Sequence, residues 1–121
     1  MAAPRDYREL RVWERGHAIA LRAYLVTRSF PKEEQYGLTS QIRRSASSVP
    51  ANIAEGCGRG GGDLSRFCKI AQGSAMELDY HLLLAKDLAL VEEETYQSFA
   101  SEVVMFRQMH GKFISRLDEQ P

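Results

Sequence analysis

Glutamate and histidine side chains at helical spacing are the residues of this 121-residue sequence that could bind a metal ion. Glu14 and His17 lie three positions apart, which is half of the ligand set of a di-metal carboxylate bundle. The full set needs a second Glu-x-x-His helix and a glutamate from each remaining helix, whereas Glu77 and His81 lie four positions apart. We therefore predict no metal, no cofactor and no catalytic residue. A metal-dependent enzyme with a site in the helical core is kept as the alternative.

Glycines and cysteines supply two further patterns with chemical meaning. Gly56, Gly58 and Gly61 match the G-x-G-x-x-G spacing of dinucleotide-binding loops, but that spacing binds a pyrophosphate only between a strand and a helix. Here it follows a helical segment, so we interpret residues 56–62 as a helix stop and a mobile loop. Neither Cys57 nor Cys68 has a base beside it in sequence. Their spacing is typical of reduced thiols rather than of a disulfide scaffold.

A line of polar side chains beside an apolar helical face is the most informative group in the chain. It consists of Arg43, Arg44, Asn52 and Glu55, with Glu77 on the next helical segment. Charges beside an apolar stripe are usually paired within an assembly, so we interpret the line as a hydrogen-bond network that fixes helix register or joins subunits. A surface that docks nucleic acid or protein is the alternative interpretation.

Four segments with apolar residues at steps of three and four predict helices over residues 10–29, 34–55, 64–89 and from residue 92 onward. Pro50 should kink the second helix, because it lacks a backbone donor and crowds the carbonyl group of Ala46. Asp63 is the expected N-cap of the third helix. No stretch alternates with period two. The sequence therefore predicts an all-α, antiparallel up-down four-helix bundle in one domain, residues 1–121, with a loose segment over residues 1–9.

The apolar stripes of these helices predict which faces form the core. In the first helix the expected core stripe is Leu10, Trp13, His17, Leu21 and Tyr24, and a second, narrower stripe is Val12, Gly16, Ile19, Ala23 and Val26. In the third helix the stripe is Leu64, Phe67, Ala71, Ala75, Leu78, Leu82 and Ala85, with Met76, Tyr80, Leu83 and Leu84 off it. In the fourth helix it is Tyr96, Phe99, Val103, Phe106, His110, Phe113 and Leu117. The surplus apolar faces predict a second subunit, contacted by Ile19, Val26, Tyr80, Leu84 and the polar line.

Charge and hydropathy limit the class of protein. The formal net charge is +0, which argues against a strongly electrostatic nucleic-acid binder. Residues 1–72 nevertheless carry 12 Lys and Arg against 7 Asp and Glu, and residues 73–121 carry 4 against 9. We therefore expect a basic part and an acidic part of the surface. No signal-peptide pattern and no membrane-spanning apolar run is evident, so we predict a soluble cytoplasmic protein without membrane contact.

Three stretches of the sequence resemble the 23S rRNA intervening-sequence protein family, also called the S23 family. They are YGLTSQIRR at residues 36–44, VPANIAEG at 49–56 and GSAMEL at 73–78, and the resemblance extends from YRELRVW at 7–13 to the fourth helix. Members of the family are encoded within insertions in bacterial large-subunit rRNA genes. The resemblance implies a four-helix bundle that forms a ring-like homopentamer without known enzyme activity. A similar fold serves as the accessory variability protein of diversity-generating retroelements, where a basic pentamer binds a reverse transcriptase and nucleic acid.

These observations together predict a non-enzymatic, homo-oligomeric scaffold or interaction module. The resemblance implies five copies, and a separate protein partner is a further expectation. The basic first part of the chain predicts weak, salt-sensitive contact with RNA or DNA. The arginines expected to make that contact are Arg11, Arg15, Arg43, Arg44 and Arg59.

Overall fold

The computed structural model of the chain describes residues 6–119. Its four α-helices are α1 (Arg11–Thr27), α2 (Leu38–Arg59), α3 (Asp63–Asp87) and α4 (Glu93–Asp118), and no strand occurs within these described residues. Each helix packs against the next one along the chain, and α1 also packs against α4. The helices thus close into an all-α bundle of four, which confirms the predicted helix number and the all-α class.

The stripes predicted for α3 and α4 form the core as expected. All seven stripe residues of α3 are buried. In α4 the four central stripe residues are buried, and the outer three are half-buried against the core. The large side chains that are fully enclosed are Phe99, Ile19, Ile42, Ile53, Leu78, Leu82, His110, Val49, Val103 and Cys68. Every helix therefore contributes to one continuous apolar interior.

The two faces of α1 are reversed relative to the prediction. Leu21 and Tyr24 are exposed, while Gly16 and Ile19 of the supposed second stripe face the core. A Cβ atom at Gly16 would lie 3.1 Å from Cγ1 of Val49 in α2, so the backbones approach closely at this point. Small residues turned inward allow this approach. The assignment of Ile19 to a subunit contact is consequently wrong, because its side chain is 0% exposed within the chain itself.

Both ends of α2 differ from their predicted positions. The helix begins at Leu38, whose N–H donates to Oε1 of Glu34 at 3.1 Å. It continues through Gly56 to Arg59, so the first part of the predicted mobile loop is helical. Gly60 ends it with φ +72, a conformation in which glycine has no steric penalty.

The connecting segments are also better defined than expected. A 3-10 turn, Tyr7–Glu9, is capped by the Asp6 carboxylate, and the Tyr7 ring lies 5.0 Å from that of Trp13. The prediction of a loose segment is therefore wrong for residues 6–9, and its remainder, residues 1–5, lies outside the described residues. Asp63 is the first residue of α3, and Gly62 precedes it as the N-cap.

Pro50 is buried inside α2 and does not end it.

None of the helices in the described part of the chain is both long enough and apolar enough to cross a membrane.

Candidate interaction surface

One member of the polar line, Asn52, binds Ser48 of the same helix, and Ser48 in turn contacts α3 within the same chain. Ser48 Oγ lies 2.8 Å from Ser74 Oγ of α3. Asn52 Nδ2 donates to the Ser48 carbonyl at 2.8 Å and to Ser48 Oγ at 2.9 Å. The bond between Ser48 and Ser74 links α2 to α3, and Asn52 holds the Ser48 side chain from within α2.

Arg43 binds α1 within the same chain. Its Nε donates to Oγ1 of Thr27 at 2.8 Å, and its guanidinium group lies 4.7 Å from the centre of the Tyr24 ring. The Thr27 hydroxyl in turn donates to the carbonyl of Ala23 at 2.8 Å. Arg43 is therefore a structural residue at the contact between α1 and α2.

The remaining members of the polar line do not join one network. Glu55 forms an ion pair with Arg59 of the same helix at 3.1 Å. Arg59 also lies 3.8 Å from the carboxylate of Asp63. Arg44 and Glu77 are exposed, and neither side chain has a hydrogen-bond or ion-pair partner among the residues that the structure describes. These two charges remain available to a partner.

An apolar row lies on α3 opposite its core stripe, and we call it the outer row. It comprises Met76, Tyr80 and Leu83, which are 52%, 58% and 38% exposed. The spacing of four and then three residues places them on one helix face. Leu84 beside them is half-buried and packs against the core. One turn before Met76, a Cβ atom at Gly73 would meet nothing within 4 Å.

A second exposed apolar group, on α1, was missed by the sequence-based prediction. Leu21 and Leu25 are 54% and 57% exposed, and Tyr24 is exposed beside them. Val26, which we assigned to the subunit contact, is half-buried against the core. The signal that could have located this group is the run of small residues on the opposite side of α1, which marks the closely packed face.

A groove separates α1 from α4, with a volume of about 510 Å³. Arginines of α1 form one side, and methionines of α4 form the other. Its lining residues are Arg11, Arg15, Ile19, Arg22, Ser98, Ser101, Glu102, Met105, Phe106 and Met109. Arg22 crosses the groove, donating to Oε1 of Glu102 at 2.7 Å and to Oγ of Ser98 at 2.8 Å.

The five arginines predicted to contact nucleic acid do not form one patch. Arg11 and Arg15 share the groove between α1 and α4. Arg43 is engaged with α1, and Arg59 is engaged with the carboxylates of Glu55 and Asp63. The structure thus brings together two of the five.

The cysteine thiols are poor nucleophiles. Cys57 and Cys68 are buried and free of disulfide bonds. Burial, together with the neighbouring Cys57, raises the pKa of the Cys68 thiol to about 12. Burial also raises the pKa of Cys57, with smaller contributions from the carboxylates of Asp6 and Glu9. Both groups therefore hold their protons at neutral pH.

The histidines and carboxylates do not converge as a metal site requires. Glu14 and His17 are both exposed on α1, and the His17 ring stacks on Trp13 at 4.8 Å. Within residues 6–119, no three histidine, cysteine, aspartate or glutamate side chains are placed to hold a metal ion.

Comparison with known proteins places this bundle in a family. The family model described as 23S rRNA-intervening sequence protein matches residues 8–112. A solved structure from Bacteroides thetaiotaomicron, described as a protein with unknown function from the S23 ribosomal protein family, is similar in fold with a TM-score of 0.74. It is 23% identical, and the match covers 85% of this chain and 97% of that chain. No curated protein matches the chain. Because the family match spans most of its length, the chain belongs to the 23S rRNA-intervening sequence protein family.

Proposed function

We propose that the protein is a non-enzymatic, homo-oligomeric scaffold whose copies contact one another through the outer row of α3. The observation that carries this proposal is the exposure of Met76, Tyr80 and Leu83 on one helix face. Contiguous exposed apolar side chains mark interaction sites, and methionine and tyrosine are enriched in the buried centres of interfaces. The outer row supplies side chains of this type.

Gly73 supports close approach of another helix at this face. Glycine in a helix interior costs about 1 kcal/mol relative to alanine. Nothing within the described structure requires the missing Cβ at this position. A neighbouring copy packed closely against α3 would explain why this position is a glycine.

Two exposed charges on adjacent helices supply polar complementarity for the same contact. Arg44 on α2 and Glu77 on α3 have opposite signs and no partners among the described residues. In the proposed assembly Arg44 of one copy pairs with Glu77 of the next, which fixes the register of the contact. Arg44 and Glu77 would thus have the role predicted for the polar line, which is to join subunits.

The family resemblance and the short segments between helices support further details of the scaffold, namely the number of copies and the arrangement of the helices. The resemblance supports five copies in a ring. Connections over residues 60–62 and 88–92 are short, which favours antiparallel neighbours in an up-down bundle. Pro50 cannot donate a backbone hydrogen bond, so a kink in α2 is expected there. Cys57 and Cys68 form no disulfide bond, which supports a reducing, cytoplasmic compartment.

Weak contact with nucleic acid is a second candidate function. Arg11, Arg15 and Arg44 are exposed and lack ion-pair partners within the described residues, so they could neutralise phosphates. With a net charge of +0, binding should be weak and lost between low and moderate salt. Filter binding of RNA and DNA at two salt concentrations tests this candidate, and no retention at low salt would eliminate it.

Sedimentation velocity of two charge-introducing variants tests the scaffold proposal. Tyr80→Asp places a carboxylate in the outer row, so we expect a shift to smaller species. Gln108→Asp places the same group at an exposed position of α4, outside both the row and the groove between α1 and α4, so assembly should persist. If Tyr80→Asp sediments like the unmodified protein, the outer row is not the subunit contact.

A further inference from the structure

We propose that the groove between α1 and α4 binds a small amphipathic anion, with an apolar body and one carboxylate, sulfonate or phosphate group. This goes beyond the scaffold function, because the outer row lies on α3 whereas this groove lies between two other helices. The volume of about 510 Å³ is within the range of sites that hold drug-sized molecules.

The deeper part of the groove suits an apolar body. Ile19 and Phe106 line the groove and are 0% and 3% exposed, so apolar core side chains lie directly beneath its opening. Met105 and Met109 follow one another at a spacing of one helical turn along the α4 side. Methionine side chains adapt their shape to different apolar groups, which favours a ligand held by shape rather than by many polar bonds.

The charges of the groove suit an anionic head group. Three arginines and one glutamate line it, which leaves a formal charge of +2. The carboxylate of Glu102 is already paired with Arg22 at 2.7 Å. Arg11 and Arg15 lie one turn apart and have no partner among the described residues. Two adjacent guanidinium groups can bind one anion through charge-assisted hydrogen bonds.

A nucleic-acid strand fits this groove less well than a small anion. Strand-binding surfaces combine an extended basic track with aromatic side chains on which bases stack. This groove has two exposed arginines, Arg11 and Arg15, and methionines form its opposite side. The bond from Arg22 to Glu102 also spans the groove, which limits its open length.

A fluorescence titration with two matched probes tests the proposal on the full chain. 8-Anilinonaphthalene-1-sulfonate carries the anionic group, and N-phenyl-1-naphthylamine has nearly the same apolar body without it. We expect one site per chain, at least tenfold tighter binding of the sulfonate, and its displacement by dodecanoate. Equal binding of the two probes, or displacement by a short single-stranded oligonucleotide and not by dodecanoate, would overturn the proposal.

Single-charge variants locate the site. Arg15→Gln should weaken binding of the sulfonate probe about tenfold or more, because it removes a charge-assisted hydrogen bond. Arg28→Gln is the matched control, since it removes one exposed charge from the end of α1 outside the groove. Equal affinity of the two variants would overturn the assignment. Neither substitution changes the outer row, so sedimentation of the same samples reports failure of the scaffold proposal separately.

Discussion

Nδ1 of His110, a fully buried residue, lies 2.8 Å from Oε1 of Gln72. Gln72 Nε2 donates to the carbonyl of Arg107 at 2.9 Å, so its amide oxygen faces the imidazole and accepts from Nδ1–H. The ring stacks on Phe106 with centroids 4.9 Å apart. His110 is therefore a neutral core residue that links α3 to α4, as expected for a histidine on an apolar stripe.

The burial of His110 predicts that stability falls in mildly acidic solution. Burial lowers its pKa from 6.5 to about 4, so the unfolded chain takes up the proton first as the pH falls. Stabilisation present above pH 6.5 is thus lost progressively towards pH 4, by up to about 3 kcal/mol. Urea unfolding of His110→Leu between pH 7 and pH 5 should show a flatter pH dependence than the unmodified protein.

The exposed His17 supplies the control for this experiment. Its ring lies at the surface against Trp13, so His17→Gln removes an exposed histidine and leaves the buried one in place, which makes it the reference for His110→Leu at the same pH values. An unchanged slope in His110→Leu, or a slope abolished in His17→Gln, would show that another group causes the acid sensitivity.

Two glycines of α2 should respond in opposite directions to substitution by alanine. A Cβ atom at Gly56 would lie 2.8 Å from Cβ of Phe67 and 3.1 Å from Cα of Leu64, so we expect Gly56→Ala to destabilise by about 1–3 kcal/mol. A Cβ atom at Gly58 meets nothing within 4 Å, so Gly58→Ala should stabilise by about 0.5–1 kcal/mol. Thermal unfolding of both variants measures the difference. If both variants gained the same stability, α3 would not approach α2 closely at Gly56.

The ion pair across the groove should be stronger than the one along α2. The side chains of Arg22 and Glu102 are 29% and 31% exposed, whereas those of Arg59 and Glu55 are 51% and 52% exposed. Less solvent screening predicts a coupling energy of about 1 kcal/mol for the first pair and about 0.3 kcal/mol for the second. Double-mutant cycles to alanine measure both. A larger coupling for the pair on α2 would contradict the geometry at the groove.

The hydroxyl of Thr27 should contribute measurably to the contact between α1 and α2. Thr27→Val keeps the side-chain shape but removes the acceptor that Arg43 Nε uses at 2.8 Å, so we expect a loss of about 1–2 kcal/mol. Thr39→Val is the control, because no hydrogen bond of that hydroxyl occurs in the described structure and its loss should cost less than about 0.5 kcal/mol. Equal urea midpoints for the two variants would contradict this role.

The sequence predicted faces well where large apolar residues define them. The stripe of α3 and the seam of α4 contain leucines and phenylalanines at regular helical spacing, and these residues are buried. On α1 the same rule fails, because Gly16, Ala20 and Ala23 form the packed face while Leu21 and Tyr24 are exposed. A rule based on large apolar residues misses this inward face, because the close approach of α2 requires small side chains there.

Glycine and long-range contacts explain the other differences. Gly56 was interpreted as a helix stop, although it lies in α2 because the neighbouring α3 leaves no room for a side chain. The groove escaped prediction because its two sides come from distant parts of the chain; Arg22 and Glu102 are 80 residues apart. Helical periodicity describes one helix at a time, so it does not predict contacts between helices that are distant in sequence.

Native mass measurement of the unmodified protein at micromolar concentration tests the central claim most directly. We predict a single assembly whose mass is a multiple of that of one chain, with a factor of five implied by the family resemblance. A stable species with the mass of one chain at these concentrations would mean that Met76, Tyr80 and Leu83 remain in water, and would contradict the proposed scaffold function.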